Sequence, residues 1–116
     1  MDAGAVALLV DHELEAVGDV PQLVVDDTRT AIGPIAVAVH GHPSLAMTTV
    51  GITGTNGKTT TAHLLAAIFD EQGWSTGIIG TLHGPRTTPE APELQATLAE
   101  FRDAGRSAVV MEVSSH

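Results

Sequence analysis

Short apolar runs alternate along the chain with stripes of apolar residues at helical spacing, the pattern of buried strands followed by covering helices. Residues 4–10 are almost wholly apolar and read as a buried strand that begins close to the first residue. Residues 11–19 are acidic and polar, a surface connection, and residues 21–25 read as a second short strand. Asp26, Asp27 and Thr28 then offer capping side chains for a helix with apolar positions at Ile32, Ile35 and Val39. Gly33-Pro34 falls inside that stretch. Proline lacks an N–H and collides with the preceding turn, so the helix is expected either to kink there or to start near Pro34. Residues 40–44 end it and lead to the next strand.

Residues 47–52 are β-branched and apolar, again a buried strand, and residues 62–70 have helical spacing with Leu64, Leu65, Ile68 and Phe69 on one side. Gln72-Gly73 closes that helix with a glycine suited to a left-handed cap. Residues 75–80 form the following strand, so strand, helix and strand make a crossover unit of the usual right hand. After the loop of residues 81–89, residues 91–104 carry Leu94, Leu98 and Phe101 on one face and Gly105 as a cap. Residues 107–113 are a continuous apolar strand interrupted by Glu112. The fold class is therefore α/β, with a parallel sheet covered by helices.

Composition narrows this picture. A chain of 116 residues has room for one domain, or a small domain and part of another. With 43% hydrophobic but only 3% aromatic residues, the interior is built from Val, Leu, Ile and Ala. The 5 basic and 14 acidic residues give a formal charge of −9, which argues against a nucleic-acid surface, so any phosphate must be held locally. The absence of cysteine excludes disulfides and thiolate chemistry and fits a reducing compartment. The apolar run of residues 3–10 is too short to cross a bilayer and lacks the flanks of a signal peptide, so no membrane insertion is expected.

One stretch carries a chemistry. Between the strand at 47–52 and the helix at 62–70 lie Thr53, Gly54, Thr55, Asn56, Gly57, Lys58, Thr59 and Thr60. Gly51, Gly54 and Gly57 can adopt positive φ and leave no Cβ in the way, so backbone N–H groups can converge on phosphate oxygens at a helix N-terminus. Lys58 adds charge for the terminal phosphates, and the Thr59 hydroxyl suits Mg²⁺. The pattern G-x-x-x-x-G-K-[ST] is met only in part, because Ile52 stands where its first glycine belongs. Strand, glycines, Lys-Thr and helix nevertheless occur in the order that a phosphate loop requires, which disfavours an incidental glycine-rich turn.

Glu112 is the second candidate. A carboxylate on a core strand is costly unless it is paired or bound to a cation, and a metal or metal-water ligand is favoured over a structural salt bridge. In the loop before the last helix, Arg86, Thr87, Thr88 and Pro89 lie at the strand mouth, where open α/β sheets bind ligands. Thr88 as a helix N-cap with Pro89 in the first turn would explain the same residues. His40 and His42 read as loop histidines, and His12, His63 and His83 receive no role.

Taken together, residues 51–61, Ile79-Gly80-Thr81, Thr87-Thr88-Pro89 and Met111-Glu112-Val113-Ser114-Ser115-His116 resemble the Mur ligases of peptidoglycan precursor synthesis. At the ATP loop alone, cyanophycin synthetases and folylpolyglutamate synthases are similar; the paired threonines and the Glu-Val-Ser-Ser-His ending are more specific. The resemblance implies that residues 1–46 are the later part of a UDP-binding domain and residues 47–116 the start of a central ATP-binding domain. It implies the family reaction: ATP-driven amide formation that adds an amino acid, here meso-diaminopimelate rather than lysine, to UDP-MurNAc-L-Ala-D-Glu through an acyl phosphate. By the same carry-over, Gly54, Thr55, Asn56, Gly57, Lys58, Thr59 and Thr60 bind ATP. Lys58 and Glu112 are catalytic, Thr59 and Glu112 serve Mg²⁺, and Thr87, Thr88 and Ser114 contact the UDP-MurNAc-dipeptide. Arg86 departs from the family, where Asn often precedes the threonine pair. The family also uses a carbamylated lysine, further substrate contacts and a third domain that are absent here, so the chain is expected to be an internal fragment, inactive alone. The whole enzyme would be cytoplasmic, monomeric and served by small molecules; the alternatives are a non-catalytic nucleotide-binding module or another Mur-like ligase such as a cyanophycin synthetase or folylpolyglutamate synthase.

Overall fold

The computed structural model describes residues 4–115, so the sequence reading that falls on His116 lies outside the described residues. In chain order the elements are β1 (Leu8–Val10), β2 (Gln22–Val24), α1 (Thr28–Val39), β3 (Thr48–Ile52), α2 (Lys58–Glu71), β4 (Thr76–Ile79), α3 (Ala91–Asp103) and β5 (Ala108–Glu112). Single 3-10 turns lie at Glu15–Val17 and Pro43–Ala46. The expected α/β class is what the chain adopts, with every strand pair parallel.

The strands form two sheets, β1-β2 and β3-β5-β4. In the larger sheet β5 lies between the two strands that precede it, so the crossover from β3 to β4 steps over a position that β5 later fills. This makes β5 the one strand of that sheet with a partner on each side, and its composition fits: Ala108, Val109 and Val110 are fully buried. Successive side chains on a strand point to opposite faces. Val109 packs with Met47, Ile79 and Leu98 of α3, while Val110 packs with Ala62 and Ala66 of α2. Helix α3 presses close enough on β4 that a Cβ at Gly77 would stand 2.7 Å from the Phe101 ring.

Several boundaries and faces differ from the sequence reading. The first strand covers only Leu8–Val10, because β2 offers just three residues to pair with, and Val6 is 86% exposed. Helix α1 starts at Thr28 and runs through Pro34 instead of beginning there. Asp27 caps it, accepting from Arg29 N–H at 2.9 Å and from the Thr30 hydroxyl at 2.6 Å. The second helix starts at Lys58, and its buried face is Ala62, Leu65, Ala66 and Phe69. Leu64 and Ile68 are 61% and 58% exposed. The two alanines allow α2 to lie close to the sheet, which leaves the larger Leu64 and Ile68 on the outer side. Gly73 (φ 84°) and Gly105 (φ 77°) close α2 and α3 as expected.

Candidate functional site

The loop between β3 and α2 is built by two glycines. Gly54 has φ 138° and Gly57 φ 80°, both in the half of the map that disfavours a Cβ. Gly51, expected to do the same, is instead an ordinary strand residue; its missing Cβ makes room for Val113, whose Cγ2 would be 3.1 Å away. Gly57 is the N-cap of α2, and among the described residues no side chain caps the helix. The N–H groups of Lys58, Thr59 and Thr60 precede the first helical bond, from Thr61 N–H to the Gly57 carbonyl at 2.9 Å. Uncapped N–H groups and the helix dipole together make an anion seat. Lys58 closes the loop on itself, its Nζ donating to the Gly54 carbonyl at 2.7 Å.

At the end of β5, next to β3, Glu112 is only 2% exposed. Among the described residues it has no ion-pair partner. Its carboxylate accepts two hydrogen bonds from Thr81: N–H to Oε1 at 3.1 Å and Oγ1 to Oε2 at 3.2 Å. Thr81 Oγ1 lies 3.0 Å from Thr87 Oγ1. Gly80 makes the approach possible, since a Cβ there would overlap the carboxylate and stand 2.8 Å from its Cδ. A cleft of about 260 Å³ opens between the two halves, lined by Thr55, Asn56, Gly57, Lys58, Thr59, Thr60, Thr81, Thr87 and Glu112. An anion seat faces a buried acid. Its oxygen-only donors, the Glu112 carboxylate and the Thr59 hydroxyl, suit a hard divalent cation.

The pair Thr88 and Ser114 forms the adjoining wall. Thr88 Oγ1 donates to the Glu112 carbonyl at 2.9 Å and accepts from Ser114 N–H at 2.8 Å, with Ser114 Oγ 3.1 Å away. Thr88 is thus not a helix cap: Glu90 takes the N-cap position of α3 without a side-chain bond, and the first-turn proline is Pro92 rather than Pro89.

Known proteins share this sequence and this fold. The family model of the Mur ligase middle domain matches residues 52–116, which is more than half of the chain. The chain belongs to the Mur ligase family. Among its relatives, the UDP-N-acetylmuramoyl-L-alanyl-D-glutamate–2,6-diaminopimelate ligase of Streptomyces coelicolor is 46% identical over 97% of this chain and 24% of that protein. The ligase of the same name from Geobacter sulfurreducens is 42% identical over 99% of this chain, again 24% of its own length. The fold is similar to that of the MurF ligase from Thermotoga maritima in complex with ADP, with a TM-score of 0.64, 21% identity, and coverage of 97% of this chain and 24% of that one. The chain thus spans about a quarter of the length of the relatives it matches.

Of the positions that the Mur ligase pattern pointed to, the structure brings Thr55 to Thr60, Thr87 and Glu112 around one cleft and sets Thr88 and Ser114 beside it. Gly54 lies beneath, as acceptor for Lys58. Thr81 and Gly80 had no assigned role, although they line or shape the same cleft. The signal available was a glycine followed by a hydroxyl residue at the end of a strand. Arg86 pairs with Glu90 at 2.8 Å on the surface. His63 and His83, also without a role, stack with ring centroids 5.2 Å apart and tie α2 to the loop after β4. His42 sits in a turn at φ 54°, and the His40 carbonyl accepts from Arg102 at 2.6 Å.

Proposed function

We propose that this chain forms the nucleotide-binding part of an ATP-dependent ligase that joins an amino acid, meso-diaminopimelate, to UDP-MurNAc-L-Ala-D-Glu. The observation that carries the reading is a buried acid, Glu112, facing an uncapped glycine-rich helix N-terminus across one cleft. In this reading residues 1–46 close a UDP-binding domain and residues 47–116 begin the ATP-binding one. The protein acts in the cytoplasm on small molecules, as a monomer, without nucleic acid. None of the described helices is long and apolar enough to cross a membrane.

The N–H groups of Lys58, Thr59 and Thr60 hold phosphate oxygens, with Gly54, Thr55, Asn56 and Gly57 shaping the turn. Lys58 exchanges its bond to the Gly54 carbonyl for the terminal phosphates. Thr59 and Glu112 would hold Mg²⁺, which when bound would neutralise the triphosphate charge. Fixed donors aimed at developing charge are the main means by which such a site accelerates phosphoryl transfer. The D-Glu carboxylate oxygen attacks the γ-phosphorus and ADP leaves; the amine then attacks the acyl carbon and phosphate leaves. Thr87, Thr88 and Ser114 contact the UDP-linked substrate at the strand mouth. In a second reading the chain is a non-catalytic nucleotide-binding module, which the phosphate-seat lining of the cleft also fits.

The test is ligation by the polypeptide extended to the length of its relatives, given UDP-MurNAc-L-Ala-D-Glu, ATP and each amine in turn. Phosphate release and an amide product with diaminopimelate are expected. Product with lysine alone would overturn the choice of amine, and no amine-dependent product with either would overturn the ligase.

A further inference from the structure

Both carboxylate oxygens of Glu112 are held by one residue, Thr81, through its N–H and its hydroxyl. The last torsion of a glutamate side chain is broad, so an unheld carboxylate would swing. Two donors from one residue fix that torsion, and the bare Cα of Gly80 forms the floor beneath it. The Thr81 hydroxyl has one proton to give. Glu112 Oε2 accepts that proton, so Thr81 Oγ1 in turn accepts from Thr87, 3.0 Å away. A directed row, Thr87 to Thr81 to Glu112, therefore joins the loop after β4 to the acid at the end of β5, and all three residues line the cleft with Lys58 and Thr59.

We propose that Thr81 is a positioning residue: its hydroxyl aims the Glu112 carboxylate at a divalent cation in the cleft and couples that carboxylate to Thr87. The proposal rests on the Mg²⁺–ATP reading above. The Thr81 backbone donor survives substitution by valine or serine, so the hydroxyl is the part to remove. Thr81→Val keeps the shape and deletes the hydroxyl; Thr81→Ser keeps the hydroxyl. Groups that orient metal ligands typically change metal affinity by about 10- to 100-fold.

ATP binding to the chain is measured by calorimetry across a Mg²⁺ series, and Mn²⁺ binding by electron paramagnetic resonance, with thermal melts of each variant in the absence of metal. Thr81→Val is expected to raise the half-saturating Mg²⁺ and Mn²⁺ concentrations by about tenfold or more. ATP affinity at saturating Mg²⁺ stays near wild type, and Thr81→Ser restores wild-type behaviour. A merely structural residue would lower the melting temperature without separating the two affinities. Thr87→Val leaves the bonds to Glu112 in place and is expected to give a smaller rise in the same direction, which keeps the proposal testable should Thr81→Val fail to fold. Wild-type metal dependence in Thr81→Val or in Thr87→Val, or a Thr81→Ser that behaves like valine, would overturn it. If Glu112→Gln raises the metal requirement while Thr81→Val does not, the positioning role fails and the cation reading stands. If Glu112→Gln also changes nothing, both fail.

Discussion

Gly80 illustrates how one missing methyl group sets the site. With Glu112 already buried against its Cα, Gly80→Ala must push the carboxylate or the strand aside. Overpacking of that kind costs about 1–3 kcal/mol, so a lowered urea midpoint and weaker metal binding are expected together. Unchanged stability would place Glu112 elsewhere. At the start of α1, Asp27 is a residue whose charge matters in a different way. The Thr30 hydroxyl, and then the Arg29 N–H, hold its carboxyl below the ordinary value of 3.8. A lowered folded-state value means the stabilisation is present above pH 3.8 and is lost as pH falls through the lowered value. Asp27→Ala should therefore melt below wild type at neutral pH, with the gap narrowing in acid; a gap that widens on acidification would contradict the cap. The residues of the phosphate loop were readable because their neighbours in sequence are their neighbours in space. Thr81 was not, because its partner Glu112 is 31 positions away and only the sheet brings them together.

At the scale of elements, the sequence period identified each helix and strand but could not say which side of α2 was inside. Leu64, Leu65, Ile68 and Phe69 look like one stripe, yet burial follows Ala62 and Ala66, because small residues set how closely the helix can approach Val110. Alanine leaves no mark in a pattern sought among large apolar side chains. Nor does any local signal announce that β5 would enter between β3 and β4, which depends on pairing between strands far apart in the chain. The contrast yields a prediction. Substituting alanine for Leu98, 2% exposed on the inner face of α3, should cost about 2–5 kcal/mol. Leu64→Ala, on the outer side of α2, should change stability by no more than about 0.5 kcal/mol. Equilibrium denaturation of the two variants compares them directly, and equal losses would mean that the helix is turned the other way.

The whole molecule is long for its size. Its Cα radius of gyration is 17.1 Å, and its extents are 55 × 31 × 23 Å. A compact chain of about 100 residues has a radius of gyration near 13 Å. The small β1-β2 sheet and the β3-β5-β4 sheet do not share one core, and the cleft belongs to the larger sheet alone. Against a net charge of −9, an anionic ligand gains nothing from the overall field, so binding has to come from the N-terminus of α2, Lys58 and a cation at Glu112. Calorimetric titration of wild-type chain and Lys58→Ala with ATP, with and without Mg²⁺, measures that local binding. Weak binding that needs Mg²⁺ and disappears in Lys58→Ala is the predicted result; equal affinity of the two proteins for the nucleotide would contradict it.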